Sequence, residues 1–152
     1  MPPDPRPRVL CVDDNEDSRV MLLTLMRLSM IEAQAVGTAA QALSLMQEER
    51  FDLFLLDARL PDLDGFELCR RMRTFDPHTP ILFFSGAAYE ADKKRGIEAG
   101  ANAYVIKPDI AGLVGSVKQF IVDADRAGAW ETQSWEDLKL VPPPTLQFSP
   151  AL

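Results

Sequence analysis

Five short apolar segments divide the chain, and each is followed by a longer segment whose apolar residues recur at helical spacing. The short segments are residues 8–12, 32–36, 52–56, 80–84 and 103–106, and the longer ones are residues 15–30, 38–49, about 65–73, 89–99 and 110–124. Short apolar runs bounded by polar loops are typical of buried strands. Because strands that alternate with helices pair in parallel through right-handed crossovers, the sequence predicts a doubly wound α/β domain with a five-stranded parallel sheet.

The ends of the predicted helices carry residues that start or stop a helix. Thr38 precedes the second helix, where its side chain can accept a hydrogen bond from a free backbone N–H. Glu16 and Asp17 lie in the first turn of the first helix, where the helix dipole favours acidic groups. Gly100 follows the fourth helix, and glycine is common at this position. These residues support the predicted boundaries.

The length and composition fit a single domain with short extensions. The chain has 152 residues, of which 47% are hydrophobic and 26% charged, enough to bury one core. We expect a proline-rich leader at residues 1–7, a domain at residues 8–126 and a tail at residues 127–152, with no separate output domain. Trp130 and Trp135 in the tail expose apolar surface unless they pack on something. We hypothesise that they form a docking arm, and the alternative is a disordered terminus.

The charge and the cysteines argue against several classes of function. A formal net charge of −7 disfavours a surface that collects nucleic acid or anionic lipid. Cys11 and Cys69 lack metal-ligand spacing, and we interpret them as buried thiols in a reducing compartment. No apolar run approaches the roughly 20 residues of a membrane span, and the N-terminus lacks the apolar core of a signal peptide. We therefore expect a cytoplasmic protein with no membrane insertion and no direct contact with nucleic acid.

Four of the five predicted strands end in a functional group. Asp13 and Asp14 follow the first strand, Asp57 the third, Ser85 the fourth and Lys107 the fifth. The carboxyl ends of strands in an open parallel sheet meet at one edge, where ligands bind. Three carboxylates gathered there repel one another unless cations offset them. The lysine supplies one positive charge, and a hard divalent ion such as Mg²⁺, which prefers oxygen ligands, can supply the rest.

This set of groups suits phosphoryl transfer. The loose transition state spreads negative charge over three oxygens, which need metal, ammonium and hydroxyl partners. Asp57, Lys107 and Ser85 would then serve as nucleophile, charge clamp and hydrogen-bond donor. Each residue alone has a simpler explanation, since acids cap helices, serine is common in turns and a Lys-Pro pair often begins a loop. Their joint occurrence at successive strand ends favours the functional interpretation.

On these residues the chain resembles the receiver domains of response regulators, which work in two-component and phosphorelay signalling, across about residues 8–126. The motifs that carry the resemblance are Val-Leu-Cys-Val-Asp-Asp at 9–14, Leu-Leu-Asp at 55–57 with Leu-Pro-Asp-Leu-Asp-Gly at 60–65, the segment 81–86, and Gly-Ala-Asn-Ala-Tyr at 100–104 before Lys-Pro at 107–108. The resemblance implies a flavodoxin-like fold with strand order 2-1-3-4-5.

The resemblance also implies a reaction. Asp57 would accept a phosphoryl group on its carboxylate from a phosphohistidine donor, which would be a sensor histidine kinase or a histidine phosphotransfer protein. Asp14 would bind Mg²⁺ (or Mn²⁺) directly and Asp13 largely through water, with Asp57 and the backbone carbonyl of Arg59 as further ligands. Such a domain is no conventional enzyme, because it catalyses only its own phosphorylation and slow autodephosphorylation.

Two further roles follow from the resemblance. Ser85 and Lys107 would each hold a phosphoryl oxygen, and the Lys107–Pro108 peptide bond would be cis. Tyr104 matches the switch aromatic of the family, which turns inward when the serine moves toward the phosphate. The alternative for Tyr104 is an aromatic residue that ends a strand and covers the core.

The chain departs from the family pattern in the loops around the site. Ala58 replaces a common methionine, and Asp109 follows the Lys-Pro pair where an apolar residue is usual. Arg59 and Ala87 occupy positions that in this family tune access of water to the acyl phosphate. We hypothesise that the Arg59 side chain shields the phosphoryl group and that Ala87 gives the attacking water no help.

Phosphorylation can bias a two-state surface when one state satisfies the added charge better. In this family the face of helix four, strand five and helix five often carries dimerisation or partner binding, so a homodimer through that face or through the tail is one expectation. Residues 89–95 of helix four read Tyr-Glu-Ala-Asp-Lys-Lys-Arg, a mixed-charge face that can equally be a solvated surface or an interface. The downstream protein partner is left open.

Other classes of function use a similar sheet. A metal-dependent phosphatase with an aspartyl nucleophile usually places a second acid two residues after the nucleophile, but Arg59 occupies that position. A nucleotide or flavin binder needs glycine-rich backbone donors in the first loop, which is acidic here at residues 13–17. A degenerate receiver used as a scaffold is disfavoured because every catalytic position is retained.

Overall fold

The computed structural model describes residues 6–128, with side chains up to residue 123. Strands and helices alternate along this part of the chain. They are β1 Arg8–Val12, α1 Glu16–Leu28, β2 Glu32–Val36, α2 Ala39–Glu48, β3 Leu53–Leu56, α3 Gly65–Phe75, β4 Ile81–Ser85, α4 Glu90–Ala99, β5 Ala103–Ile106 and α5 Ile110–Gly128. The leader up to residue 5 and the proposed docking arm of Trp130 and Trp135 lie outside the described residues.

The five strands form one parallel sheet in the order β2-β1-β3-β4-β5. Val12, the last residue of β1, pairs with both Val36 and Leu56, so three strands end at the same level. On the other side, Ser85 pairs with Ile106 at the ends of β4 and β5. The predicted doubly wound sheet and its strand order are confirmed, and its register places the residues that follow the strands along one edge.

The sheet separates two apolar cores, because alternate side chains of each strand point to opposite faces. Leu10, Phe54 and Phe83 belong to the core covered by α2, α3 and α4. Val9 and Leu55 belong to the core covered by α1 and α5. All residues of β3 and β4 are buried, as expected for central strands with helices on both faces.

Side chains and glycine cap the helices much as the sequence predicted. Asn15, Thr38 and Asp64 precede α1, α2 and α3, and the side chain of each accepts a hydrogen bond from a backbone N–H of the first turn. Gly100 follows α4 in the left-handed conformation with φ 115°. Only glycine adopts that conformation without strain, so the predicted end of α4 is confirmed.

Three helix ends differ from the prediction by two or more residues. Helix α3 ends at Phe75 rather than near residue 73. Helix α1 ends at Leu28 rather than at residue 30, because Met30 takes a positive φ of 62° and the Ile31 N–H returns to the Met26 carbonyl at 2.9 Å. This pair of features closes a helix without glycine. Helix α5 continues four residues past the predicted end, to Gly128, and so passes the predicted domain boundary at residue 126.

Both cysteines are buried and free, as the sequence predicted. Burial raises the pKa of the Cys11 thiol to about 12 and that of Cys69 to about 11, which leaves both as unreactive thiols near neutral pH. Within residues 6–128, no helix combines the length and apolar character that crossing a membrane requires.

Candidate functional site

The three predicted acidic residues converge at the carboxyl edge of the sheet. Carboxylate oxygens of Asp13, Asp14 and Asp57 all lie within 4.8 Å of one another. Asp13 and Asp57 are buried, with 2% and 9% of their surface exposed, whereas Asp14 is exposed. The Asp57 backbone N–H donates to the Val12 carbonyl at 2.9 Å, which ties the end of β3 to the end of β1. The strand register therefore accounts for the meeting of these acids.

Lys107 bridges the two buried acids from the end of β5. Its Nζ donates to Asp13 Oδ2 at 2.8 Å and to Asp57 Oδ2 at 3.0 Å. Partial burial alone would lower the pKa of this ammonium, but the two carboxylate hydrogen bonds outweigh it, and the pKa of Lys107 is raised above its ordinary value. The lysine is therefore charged near neutral pH. The Lys107–Pro108 peptide bond is cis, as predicted.

Ser85 approaches Asp57 from the adjacent strand β4. Its hydroxyl donates to Asp57 Oδ1 at 2.9 Å and accepts from the Ala87 N–H at 3.2 Å. Ser85 is almost fully buried. Together, Ser85 and Lys107 occupy both oxygens of the Asp57 carboxylate, so both predicted partners of this residue contact it.

The loop between β3 and α3 is packed tightly against Asp57. A Cβ atom added at Gly65 would lie 2.1 Å from the Asp57 carbonyl oxygen and 2.8 Å from Ala58 Cα. The Arg59 N–H points back to Asp57 Oδ1 at 3.3 Å, and the Arg59 side chain is exposed. Gly65 leaves room for the loop to fold back on the strand, so it is needed for the shape of the site.

Asp62 is a further anchor of this loop that sequence reasoning did not single out. Its carboxylate accepts from the backbone N–H groups of Ala39 and Ala40, each at 3.0 Å, at the start of α2. These hydrogen bonds lower the pKa of Asp62. The acidic residue was visible in the sequence, but its target on α2 is distant in the chain and appears only in the fold.

Tyr104 lies inside the domain. Its ring is fully buried and stacks on Phe83 with centroids 5.4 Å apart, and its hydroxyl donates to the Ala87 carbonyl at 2.6 Å. Burial raises the pKa of this hydroxyl to about 12. A Cβ atom at Gly96 on α4 would lie 3.0 Å from the Tyr104 ring, so glycine allows the helix to approach the ring. The ring is already inward here, and its phosphate-dependent movement stays a prediction.

Two cations of the charged helix α4 make contacts with neighbouring residues. Only 6% of the Lys93 side chain is exposed, and its ammonium lies 3.3 Å from Glu90 Oε1. Arg95 places its guanidinium 4.3 Å above the Phe66 ring of α3 and 3.5 Å from Asp64. Lys93 is therefore buried within the charged segment, whereas the Arg95 side chain stays 52% exposed, and neither contact decides between a solvated surface and an interface.

The donor set at the edge of the sheet fits a hard divalent cation. Oxygens bound to one Mg²⁺ lie at most about 4.2 Å apart, because each Mg–O bond measures about 2.1 Å. The carboxylates of Asp13, Asp14 and Asp57 need to move little from their 4.8 Å limit to reach that separation. Exposure of Asp14 leaves room for the water ligands that Mg²⁺ retains.

The fold and the acidic edge together define a receiver-like class of domain. The family model of the response regulator receiver domain matches residues 9–118. The chain therefore belongs to the response regulator receiver domain family, as the motifs predicted.

Curated relatives of the chain are longer regulators. The chain is 36% identical over 137 residues to the transcriptional regulatory protein PrrA of Mycobacterium leprae, and this match covers 90% of the chain and 58% of PrrA. It is 37% identical over 103 residues to the DNA-binding response regulator MtrA of Mycolicibacterium smegmatis, covering 68% of the chain and 45% of MtrA. The match thus spans about half the length of these relatives.

Solved structures agree with the fold. A CheY-like response regulator receiver domain protein from Methanospirillum hungatei superposes with a TM-score of 0.76 at 26% identity, covering 81% of this chain and 99% of that one. The non-phosphorylated HemR receiver domain from Leptospira biflexa superposes with a TM-score of 0.71 at 29% identity. This match covers 76% of this chain and 94% of that one.

Proposed function

We propose that this receiver domain accepts a phosphoryl group on Asp57 and transmits its presence through a change of surface. The observation that carries the proposal is the pair of contacts on the Asp57 carboxylate, from Ser85 Oγ at 2.9 Å and from Lys107 Nζ at 3.0 Å. A hydroxyl and an ammonium beside one carboxylate are the partners that a phosphoryl group on that carboxylate needs.

In the proposed reaction, an Asp57 oxygen attacks the phosphorus of a phosphohistidine. The P–O bond forms as the P–N bond breaks, and the imidazole leaves with the electron pair of that bond. Lys107 exchanges a carboxylate contact for a phosphoryl oxygen, and Ser85 donates its hydroxyl to another. Hydrolysis later returns the free carboxylate and inorganic phosphate, so the domain catalyses only its own phosphorylation and dephosphorylation.

Asp13, Asp14 and Asp57 would hold the divalent cation, Mg²⁺ or Mn²⁺, together with the backbone carbonyl of Arg59. When bound, the cation neutralises charge that develops on the phosphoryl oxygens. The protein's own contribution is to hold these acids together: β1 and β3 fix the backbones of Asp13 and Asp57, and Lys107 offsets part of their repulsion.

We propose that residues 8–126 are the receiver unit. A sensor histidine kinase or a histidine phosphotransfer protein would supply the phosphoryl group, as membership of the family implies. The net charge of −7 supports a protein partner downstream rather than direct contact with nucleic acid. The buried free thiols support a cytoplasmic location.

The downstream surface proposed is the face of α4, β5 and α5. Tyr104 in β5 contacts the Ala87 carbonyl, two residues after Ser85, so movement of the serine can reach this face. Formation of a homodimer through this face, or through the tail, is one way in which phosphorylation could be transmitted.

The Arg59 side chain would shield the acyl phosphate from water. It is exposed and begins two residues after Asp57, and Ala87 carries no polar side chain that could orient a water molecule. We expect phosphorylated Arg59→Ala to lose phosphate faster than wild type, in a decay followed by intact mass. Equal lifetimes would contradict the shielding role.

A labelling experiment tests the proposed function. Intact mass is measured after incubation with acetyl phosphate and Mg²⁺ for wild type, for Asp57→Asn and for a control, Asp123→Asn, on the distant part of α5. We expect wild type and the control to gain one phosphoryl group and Asp57→Asn to gain none. Equal labelling of Asp57→Asn would overturn the proposal. Rapid turnover of small phosphomonoesters would indicate a phosphatase instead.

A further inference from the structure

Arg19 reaches from α1 back to the loop that carries two of the acidic residues. Its Nη1 donates to the backbone carbonyl of Asp13 at 2.9 Å. That carbonyl belongs to the peptide bond between Asp13 and Asp14, so its orientation governs where both carboxylates can point. On the other side, the Asp13 N–H donates to the Val36 carbonyl at 3.0 Å. The guanidinium therefore completes the fixation of this loop.

Gly37, directly after β2, provides the space that the guanidinium occupies. A Cβ atom added there would lie 3.0 Å from Arg19 Nη1 and 3.6 Å from Arg19 Cζ, tighter than ordinary contact at the first distance. Gly100 is the glycine with positive φ among residues 6–128, so the backbone of Gly37 does not itself require glycine. Glycine at position 37 is therefore explained by the space that the Arg19 side chain needs.

The charge and the geometry of Arg19 act in opposite directions on a cation bound by the acids. The positive charge of the Arg19 guanidinium, which lies against the Asp13 carbonyl, repels a metal ion bound nearby. A fixed peptide bond, in contrast, keeps the two carboxylates oriented toward one point and lowers the cost of ordering them when the ion binds. These two effects predict opposite results when the guanidinium is removed.

We propose that Arg19 is a positioning residue for the divalent-cation site, which it supports by fixing the Asp13–Asp14 peptide bond. This proposal rests on the proposed function, because it assumes that Asp13 and Asp14 bind the cation. We expect the orienting effect to outweigh the repulsion, because the positive charge is delocalised over the guanidinium and its charge-assisted hydrogen bond of 2.9 Å holds the peptide bond that the two acids share.

Calorimetric titration with Mg²⁺ alone tests the proposal on the full chain. We expect Arg19→Gln to raise the Kd for Mg²⁺ by about tenfold, the lower end of the effect of losing a group that orients metal ligands. The matched control is Arg27→Gln, which removes the same charge from an exposed position about 12 Å further along α1 and is expected to change Kd by less than about twofold.

A second variant separates position from charge. Gly37→Ala shifts the guanidinium by a few tenths of an ångström without removing it, so we expect a smaller but measurable rise in Kd. Circular dichroism checks that each variant is folded. If Arg19→Gln does not fold, the Kd of Gly37→Ala for Mg²⁺ tests the proposal in its place. Raising the Mg²⁺ concentration should bring the labelling of Arg19→Gln by acetyl phosphate closer to the wild-type rate, since the loss is in cation binding.

Unchanged or tighter Mg²⁺ binding by Arg19→Gln, or by Gly37→Ala when that variant decides, would overturn the role of Arg19 and leave the proposed function intact. Equal losses in Arg19→Gln and Arg27→Gln would also overturn it, because they would indicate a general effect of charge. Failure of the wild type to bind Mg²⁺ or to be labelled on Asp57 would instead overturn the proposed function, and the proposal with it.

Discussion

Replacement of Lys107 by methionine tests the charge balance of the site. The ammonium contacts Asp13 Oδ2 and Asp57 Oδ2, and a quarter of the lysine side chain is exposed. Methionine retains much of the apolar stem but leaves the two buried carboxylates facing each other without a cation. We therefore expect Lys107→Met to be less stable than wild type when no divalent ion is present.

The size of the effect follows from the burial of the pair. Removal of one partner from a buried ion pair costs about 3–5 kcal/mol, and the partial exposure of Lys107 reduces this to about 2–3 kcal/mol. For a domain of this size, each kcal/mol lowers Tm by about 3–5 °C, so the expected fall is about 6–15 °C. The remaining contacts of the acids, such as the Ser85 hydrogen bond to Asp57, limit the loss.

Bound Mg²⁺ should narrow the difference in Tm between Lys107→Met and wild type. An ion at a hundred times its Kd stabilises the folded state by about 2.7 kcal/mol. In wild type the ion competes with the Lys107 ammonium for the carboxylates, and in the variant it does not. We expect Mg²⁺ to raise the Tm of Lys107→Met more than that of wild type, while labelling by acetyl phosphate is lost.

Thermal melts with and without Mg²⁺ measure both effects. Lys94→Met on α4 is the control, because 77% of that side chain is exposed and its Nζ lies 3.9 Å from Glu98. We expect the control to stay within about 0.5 kcal/mol of wild type. The reasoning would be refuted if Lys107→Met had the same Tm as wild type without Mg²⁺, or if Mg²⁺ raised its Tm by less than it raises that of wild type.

Three further predictions concern single contacts. Tyr104→Phe leaves the Ala87 carbonyl without its 2.6 Å donor and should cost about 1–2 kcal/mol in urea unfolding; an unchanged midpoint would argue against the bond. Gly65→Ala should abolish acetyl phosphate labelling, whereas Gly115→Ala, which meets no neighbouring atom within 4 Å, should retain it; labelling of both would be contradictory. The backbone hydrogen bonds lower the pKa of Asp62 below its ordinary value, so their contribution to stability is fully present above the pKa of the unfolded carboxyl and is lost as pH falls through the folded pKa. Urea unfolding at a series of pH values from neutral into acid should show Asp62→Asn less stable than wild type at neutral pH and the gap narrowing as pH falls, and a gap that does not narrow would contradict this.

Much of the site follows from the sequence because parallel strands must end at one edge. Asp13 and Lys107 are 94 residues apart, yet their contact is a consequence of two apolar runs that each stop at a charged residue. The order of the strands, in contrast, is implied only by the resemblance to receiver domains, and it is this order that places Asp57 beside both Ser85 and β1.

Other features depend on where a long side chain ends, which periodicity does not determine. Lys93 lies in a charged segment but is buried, and Arg19 follows an ordinary helix pattern but ends on the Asp13 carbonyl. Gly65 reads as a loop residue, and only the 2.1 Å approach to Asp57 explains it. These are properties of packing between elements, so they become visible only when the elements are assembled.

The identity of the phosphorylated residue is the most direct test of the account. Wild-type protein is incubated with acetyl phosphate and Mg²⁺, the acyl phosphate is trapped by borohydride reduction to homoserine, and the digested peptides are sequenced by mass spectrometry. The account predicts homoserine at Asp57. Conversion at Asp13 or Asp14 instead, phosphate on Ser85, or no modification at all would contradict it.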